Sequence, residues 1–153
     1  MSIVLYRIDD RLVHGQVVIG WGTQLGVAFI VLVDDAVAAS KWEQDLYRMG
    51  VPPEMELHFA TVAEFARGAT AWRFDPRVGI VITADVDTMA AISQVAPPVP
   101  QVNLGGLHHK PGRRERLPYV YLTDEEFETL ERLERAGTQV RAQDVPGTVP
   151  VPL

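Results

Sequence analysis

The sequence predicts an α/β domain in which helices flank both faces of a mostly parallel sheet, and three observations support this class. Strand-like apolar segments alternate with segments whose apolar residues recur every three or four positions. Residues 28–33 are apolar on both faces, as in a strand covered by helices on either side. Thr61 and Thr123 each begin a capping box, Thr-x-x-Glu, which marks a helix start. We therefore expect the 153 residues to form a single three-layer open domain.

Seven segments have the composition and length of strands. The first is β-branched and apolar and stops at Asp9-Asp10, a pair that favours turns over strand interiors. The third alternates between apolar and polar residues, which indicates a half-exposed strand. The seven segments are residues 3–8, 28–33, 55–59, 78–83, 101–104, 119–122 and 140–145.

Helices are predicted in most of the intervals between these strands. Their starts carry Thr or Asp caps, and their ends carry Gly or precede Pro. The predicted helices are residues 15–24, a segment with an apolar stripe over 39–49, 61–68, a segment from Asp85 that stops before Pro97, and 123–136. Trp21 is expected in the core, and Trp42 and Trp72 in the core or in an interface. The proline-rich residues 146–153 are predicted to form an extended tail.

Composition limits the classes of function. A net charge of −6 argues against general affinity for nucleic acid or anionic lipid, so an anion must be bound by a local site. No cysteine is present, which excludes disulfides, thiolate metal sites and cysteine nucleophiles. The N-terminus reads as a strand rather than a signal peptide, and no apolar run approaches the roughly 20 residues of a membrane span. We expect a cytoplasmic protein.

The loop after the first strand is dense in chemically active residues. Residues 7–16 contain two arginines, two aspartates and one histidine. A neutral imidazole at His14 is a good nucleophile toward phosphorus, and Arg7 and Arg11 can hold phosphate oxygens. Gly15 would let the backbone close around those oxygens, and the following helix adds its N-terminal dipole. An aspartate could hold the other ring nitrogen of His14 and fix the tautomer.

Two other interpretations of these residues stay open at this point. His14 could be a surface hydrogen-bonding residue, with Asp9 and Asp10 simply pairing with the arginines. A metal could be bound by His14, His108 and His109, but no carboxylate stands at a fixed helical spacing from them, so no metal is predicted. A glycine-rich nucleotide loop and a nucleophile elbow are both missing from the sequence, and no cofactor is expected.

A family resemblance favours the phosphate interpretation. Residues 7–17, Arg-Ile-Asp-Asp-Arg-Leu-Val-His-Gly-Gln-Val, strongly resemble the N-terminal signature of one group of bacterial proteins. These are the IIB components of the mannose/fructose/sorbose family of the phosphoenolpyruvate-dependent sugar phosphotransferase system. The resemblance covers nearly the whole chain, because other segments fall in the family's order. They are Trp21 and residues 33–38, 102–108, 121–126 and 145–146.

The resemblance implies one IIB domain over residues 1–153 with a sheet of about seven strands. It implies that His14 receives a phosphoryl group, at Nδ1, from the phosphohistidine of a IIA partner. The group would then pass to a sugar during uptake through a membrane IIC/IID complex. Asp10 and Arg11 are expected beside His14 as catalytic residues. Residues expected to bind phosphate or a partner are Arg7, Gly15, Gln16, Asp35, Asn103, Gly105 and Gly106.

Some residues depart from the family or leave the role open. Residues 83–86 lack the usual polar residue and proline-containing helix start, so no site is assigned there. His108-His109 has one histidine more than expected, and the arginine-rich residues 111–117 form either a docking loop for an acidic or phosphorylated partner or a solvated loop. The main alternative function is a regulatory module in which phosphorylation of His14 gates protein binding. A small-molecule or metal-binding protein is the third hypothesis, and a homodimer is possible.

Overall fold

The computed structural model describes residues 2–153, apart from the side chain of Gln16, and eight strands lie within that part of the chain. Six of them form one sheet in which every pairing is parallel, so the predicted α/β class is confirmed. The other two pair with each other as an antiparallel hairpin. The strands are β1 (Ile3–Ile8), β2 (Phe29–Val33), β3 (Glu56–Ala60), β4 (Gly79–Thr83), β5 (Gln101–Leu104), β6 (Arg114–Leu117), β7 (Val120–Leu122) and β8 (Gln139–Ala142).

The strand order across the sheet is β3-β2-β4-β1-β5-β8. Strand β1 therefore lies inside the sheet, between β4 and β5. Because all six strands run parallel, their carboxyl ends share one edge, where α/β proteins usually bind ligands. The loop that follows Ile8 lies there beside the chain that follows Leu104 and Ala142.

Helices cover both faces of the sheet. Two clusters of buried apolar residues form the core, one on each face, which confirms the three-layer arrangement. In chain order the helices are a π-helix (Gln16–Gly22), α1 (Thr23–Leu25), α2 (Asp35–Ala38), α3 (Lys41–Met49), α4 (Val62–Arg73), α5 (Val86–Val95) and α6 (Asp124–Arg135). No helix in residues 2–153 has both the length and the apolar character needed to cross a membrane.

The helix starts predicted at Thr61, Asp85 and Thr123 are confirmed, whereas the helix predicted over 15–24 is mostly a π-helix and the stripe over 39–49 lies mainly on α3, which begins at Lys41. Thr61 and Glu64 exchange the two hydrogen bonds of a capping box at α4, and Thr123 and Glu126 do the same at α6. The predicted end of α4 at Gly68 is wrong, because the helix continues to Arg73. Its extra turn carries Trp72, which stacks on Phe65 at a ring separation of 5.4 Å and packs against the core.

Two predictions about the C-terminal half need correction. The segment 119–122, predicted as the sixth of seven strands, is not part of the main sheet: β7 pairs with β6, because β5 already pairs with β1 and β8. Strand β6 was not predicted, because its Arg-Glu-Arg-Leu sequence lacks the alternating apolar residues of a strand with a buried face. The tail 146–153 is not fully extended, since it turns at Thr148 and Val151 pairs with Ala142 on the free side of β8.

The apolar stripe of helix α3 faces outward. Trp42, Leu46 and Met49 are 69%, 56% and 83% exposed, and α3 contributes no fully buried residue to the core. Trp42 is therefore not a core residue, which leaves the interface alternative as a prediction. Trp21 is buried as expected, because the π-helix lies directly against the sheet.

Candidate functional site

The loop between β1 and the π-helix is pinned at the carboxyl edge of the sheet. The Asp9 N–H donates to the Thr83 carbonyl at the end of β4, and the Asp10 N–H donates to the Gly106 carbonyl beyond β5, both at 2.9 Å. The loop is thus tied to both strands that flank β1. Its position is set by the sheet rather than by the loop sequence alone.

A strained residue helps to shape this loop. Leu12 has φ +55°, in the left-handed region that costs a residue with a side chain roughly 1–2 kcal/mol. The Leu12 N–H donates to the Asp9 carbonyl at 2.9 Å, and the Leu12 and Val13 side chains are buried in the core. Buried side chains therefore hold the turn between Arg11 and His14 in this conformation.

The Asp9 carboxylate is the centre of the site. It is fully buried, and its Oδ1 accepts hydrogen bonds from the Arg11 N–H and Nε, at 3.1 and 3.2 Å. Its Oδ2 lies 3.2 Å from Arg7 Nη2, 3.3 Å from Arg11 Nη2 and 3.2 Å from His14 Nε2. One carboxylate thus joins both arginines to the histidine.

The contact with Asp9 determines the chemistry of His14. A carboxylate only accepts hydrogen bonds, so Nε2 of His14 carries the proton, and in the neutral ring Nδ1 then carries the electron pair. The His14 side chain is 17% exposed and lines an open depression with Gly15, Ile19 and Gly20. An imidazole in this state can act as a nucleophile through Nδ1.

Arg7 lies in the protein interior next to Asp9. Its side chain is fully buried, and it donates to the Asn103 Oδ1 and to the carbonyls of Gln143 and Asp144, the last two at 2.9 Å. Its guanidinium also lies 5.2 Å from the Trp21 ring. The prediction that Arg7 binds phosphate is therefore corrected, because its buried guanidinium neutralises the Asp9 carboxylate inside the protein. Arg11, whose side chain is 38% exposed, is the arginine of this site that solvent reaches.

The ionisation of Asp9 contributes to stability. Burial by itself raises the pKa of Asp9, but hydrogen bonds from His14 and Arg11 and the charge of Arg7 more than offset this and hold the pKa well below its usual range. Burial lowers the pKa of Arg7, and Asp9 opposes that shift. The site is therefore built around an ionised carboxylate.

Because the folded-state pKa of Asp9 is depressed, its stabilising effect is complete above the unfolded value of about 4 and is lost as pH falls toward the folded value. We expect the wild type to exceed Asp9→Asn in free energy of unfolding by a constant amount above about pH 5, and this difference to shrink as pH falls below about 5 toward about 3. Urea denaturation of both proteins at several pH values measures this. A difference that stays constant below about pH 5 would show that Asp9 is not an ionised partner.

The Asp10 carboxylate binds a different histidine from the one that Asp9 binds. Its Oδ2 accepts from the His108 N–H, and its Oδ1 contacts His108 Nδ1, both at 2.7 Å. Asp10, predicted as a catalytic neighbour of His14, is therefore the partner of His108, while Asp9 holds His14. The His108 carbonyl accepts in turn from Arg113 Nη1 at 2.8 Å.

Of the other predicted site residues, some lie at the arginines of the site and one lies at the start of α4. Asn103 and Gly105 surround the Arg7 guanidinium, and Gly106 lies beside Arg11. Asp35 accepts from the Val62 N–H at the start of α4, at 2.9 Å, and its predicted role stays a prediction. The side chain of Gln16 lies outside the described part of the structure.

The arginine-rich segment is paired within the chain. Arg113 forms a two-pronged pair with Glu126 at 3.1 and 2.9 Å, and Arg114 and Arg116 both bind Asp124. These contacts attach the β6–β7 hairpin to the start of α6. For residues 111–117 the sequence predicts either a docking loop or a solvated loop, and neither alternative includes these ion pairs within the chain. Within residues 2–153, no three His, Asp or Glu side chains are grouped to hold a metal ion.

The sequence matches the model of a known protein family. A family model described as "PTS system sorbose subfamily IIB component" matches residues 3–153. The chain belongs to this family of IIB components. The family resemblance seen in residues 7–17 therefore extends over residues 3–153. The chain is a component of a sugar phosphotransferase system and belongs to the transferase class.

Individual relatives agree with this membership. The IIB chain is 31% identical over 150 residues to the N-acetylgalactosamine-specific phosphotransferase enzyme IIB component 1 of Escherichia coli, covering 95% of this chain and 92% of that one. The crystal structure of the Escherichia coli N-acetylgalactosamine-specific IIB component 1 has TM-score 0.92 and 28% identity over 99% of both chains. The mannose-specific EIIAB component of Escherichia coli is 29% identical, but this IIB chain covers only 45% of its length.

Sequence reasoning did not single out two residues of this IIB site. It offered an aspartate as the partner of His14 without choosing between Asp9 and Asp10, although Arg7 in an apolar strand signals a need for a buried counter-charge. Asp9 follows Arg7 by two positions, and residues at this spacing in an extended chain have their side chains on the same face, where they can pair. Gln143, which accepts from Asn103 Nδ2 at 3.2 Å, carried no comparable signal.

Proposed function

We propose that this IIB component is a cytoplasmic phosphoryl carrier. It accepts phosphate on Nδ1 of His14 from the phosphohistidine of a IIA partner and passes it to a sugar during uptake through a membrane IIC/IID complex. The observation that carries the proposal is the Asp9 carboxylate, which binds His14 Nε2 and Arg11 together. Family membership supports it independently.

The chemistry of acceptance follows from the site. The Nδ1 electron pair attacks phosphorus as the bond from phosphorus to the donor histidine breaks, so the phosphoryl group moves between two neutral nitrogens. Asp9 keeps the proton on Nε2 and stabilises the positive charge that the ring acquires. Arg11 offsets the charge of the phosphoryl oxygens.

The local charge also suits an incoming phosphoryl group. Arg7 offsets the charge of Asp9 inside the protein, and the Arg11 cation, which solvent reaches, can attract the phosphoryl oxygens. The depression at His14 is open and lined by two glycines and the exposed Ile19, so the histidine of another protein can approach. A relative named EIIAB supports a IIA partner.

A labelling experiment tests the first step. The protein is incubated with a phosphorylated IIA domain, and the phosphate is located by peptide mapping and by ³¹P NMR. We expect one acid-labile phosphate on His14 Nδ1, no label in His14→Ala, and full labelling in His109→Ala, which alters a histidine packed on Tyr121. Absence of label in the wild type, or its persistence in His14→Ala, would overturn the proposal.

A second experiment tests the sugar step. Labelled protein is mixed with membrane vesicles carrying the IIC and IID components and with a panel of aldohexoses, ketohexoses and N-acetylhexosamines. We expect the label to appear on one of these sugars. Labelled His14 with no transfer to any of them would contradict the transport role and favour the regulatory alternative.

A further inference from the structure

Each of two histidines is held by one of two consecutive aspartates. Asp9 holds His14 through Nε2, and Asp10 holds His108 through Nδ1. The two contacts leave opposite nitrogens of the two rings carrying the electron pair, since the carboxylate fixes the proton on the nitrogen that it contacts. In neutral His108 that nitrogen is Nε2, and the His108 side chain is 67% exposed.

His108 is also tightly positioned for an exposed side chain. Its backbone N–H donates to Asp10 Oδ2 at 2.7 Å, and its carbonyl accepts from Arg113, which is itself held by Glu126. A base whose second nitrogen is oriented by a carboxylate is the arrangement found in many catalytic pairs. Phosphoryl acceptance by His14 makes no use of this pair.

A cavity of about 280 Å³ lies beside His108. Arg11, Tyr119, Tyr121 and Asp144 also line it, so it offers hydroxyl, carboxylate and guanidinium groups. Arg11 belongs to both places, because it lines this cavity and its guanidinium binds the Asp9 carboxylate that holds His14. A polyhydroxylated molecule that enters the cavity meets the arginine expected to contact the phosphoryl group.

The sugar step has a chemical requirement that the first step lacks. An imidazole acceptor has an electron pair and no proton to lose, whereas a hydroxyl must lose its proton as it bonds to phosphorus. In-line displacement places the attacking oxygen and the leaving Nδ1 of His14 on opposite sides of phosphorus, so His14 cannot take that proton. Asp9 is a poor base, because three donors hold its pKa low.

We propose that His108, oriented by Asp10, is the proton acceptor when the phosphoryl group passes from His14 to the sugar hydroxyl. The hydroxyl oxygen forms its bond to phosphorus, and the bond from phosphorus to Nδ1 of His14 breaks and returns its electron pair to that nitrogen. The hydroxyl proton moves to Nε2 of His108 and then to solvent. This inference rests on the proposed carrier function and adds a catalytic residue to its second step.

The test compares the two steps in one set of proteins. Wild type, His108→Ala and the matched control His109→Ala are labelled by phosphorylated IIA, then chased with vesicles carrying IIC and IID and with the sugar that accepts label from the wild type. In His108→Ala we expect the sugar step to slow about 10²-fold while labelling of His14 changes less than about threefold. Added imidazole should restore part of the sugar step, and His109→Ala should behave as wild type.

The outcomes separate this inference from the proposed function. An unlabelled wild type, or a labelled wild type that no sugar discharges, refutes the function and the inference together. A His108→Ala protein that is labelled normally and discharges at the wild-type rate refutes only the inference. Equal slowing of both steps, or slowing that imidazole does not relieve, shows that His108 is structural and likewise overturns it.

Discussion

Replacing Asp9 with asparagine is expected to slow phosphorylation of His14 by about 10²- to 10⁴-fold, by analogy with other histidines that lose an orienting aspartate. The new amide would offer an N–H group as well as a carbonyl, so Nε2 of His14 could accept a hydrogen bond and the proton could move to Nδ1. The nucleophilic nitrogen would then be blocked. The same change leaves the fully buried Arg7 without its counter-charge, which should cost about 3–5 kcal/mol of unfolding free energy.

Single-turnover labelling by phosphorylated IIA measures the rate, and urea denaturation measures the stability. Asp45→Asn is the matched control, because it removes one carboxylate that is exposed on α3 and pairs with Lys41. We expect it to change stability by less than about 1 kcal/mol and to leave labelling intact. A folded Asp9→Asn protein that is labelled at the wild-type rate would contradict the role assigned to Asp9.

Replacing Gly105 with alanine is expected to damage the fold severely for so small a change. A Cβ atom there would lie 2.5 Å from Cζ and 2.9 Å from Nε of Arg7, well inside contact distance. The Arg7 guanidinium cannot move aside cheaply, because it is fully buried and bound to Asp9, Asn103 and the carbonyls after β8. Displacing it breaks the buried ion pair, so we expect a loss of about 3–5 kcal/mol.

Gly106→Ala is the matched control for Gly105→Ala. Its Cβ would lie 3.4 Å from Nη2 of Arg11, whose side chain is partly exposed and can shift. We expect Gly106→Ala to change the free energy of unfolding by no more than about 1 kcal/mol. Thermal and urea denaturation of the two variants give the comparison. Equal stability of both would mean that Arg7 is not confined as the structure shows.

Much of the architecture was predictable because its signals are local. Capping boxes at Thr61 and Thr123 involve atoms three residues apart, and the helix stops at Gly26 and Gly137 reflect a positive φ that glycine adopts readily. Buried parallel strands such as β2 are recognisable because both of their faces are apolar. These features depend on neighbours in sequence, so they are visible without the fold.

Other features depend on distant partners and could not be predicted in the same way. The arginine-rich β6 forms a strand because β7 pairs with it and α6 binds its arginines. The stripe on α3 has the spacing of a buried face, yet Trp42 is 69% exposed, because periodicity identifies a face without saying what covers it. The C-terminal tail folds back because Ala142 offers an unpaired strand edge to Val151.

The sequence by itself determined the α/β class, the positions of most helices and strands, and the loop in which His14 stands among two arginines and two aspartates. Only the tertiary structure decided which aspartate holds which histidine: Asp9 binds His14, whereas Asp10 binds His108, 98 residues away. The physical reason is that neighbouring side chains leave the backbone in different directions. Their partners are set by the segments that the parallel sheet brings to its carboxyl edge.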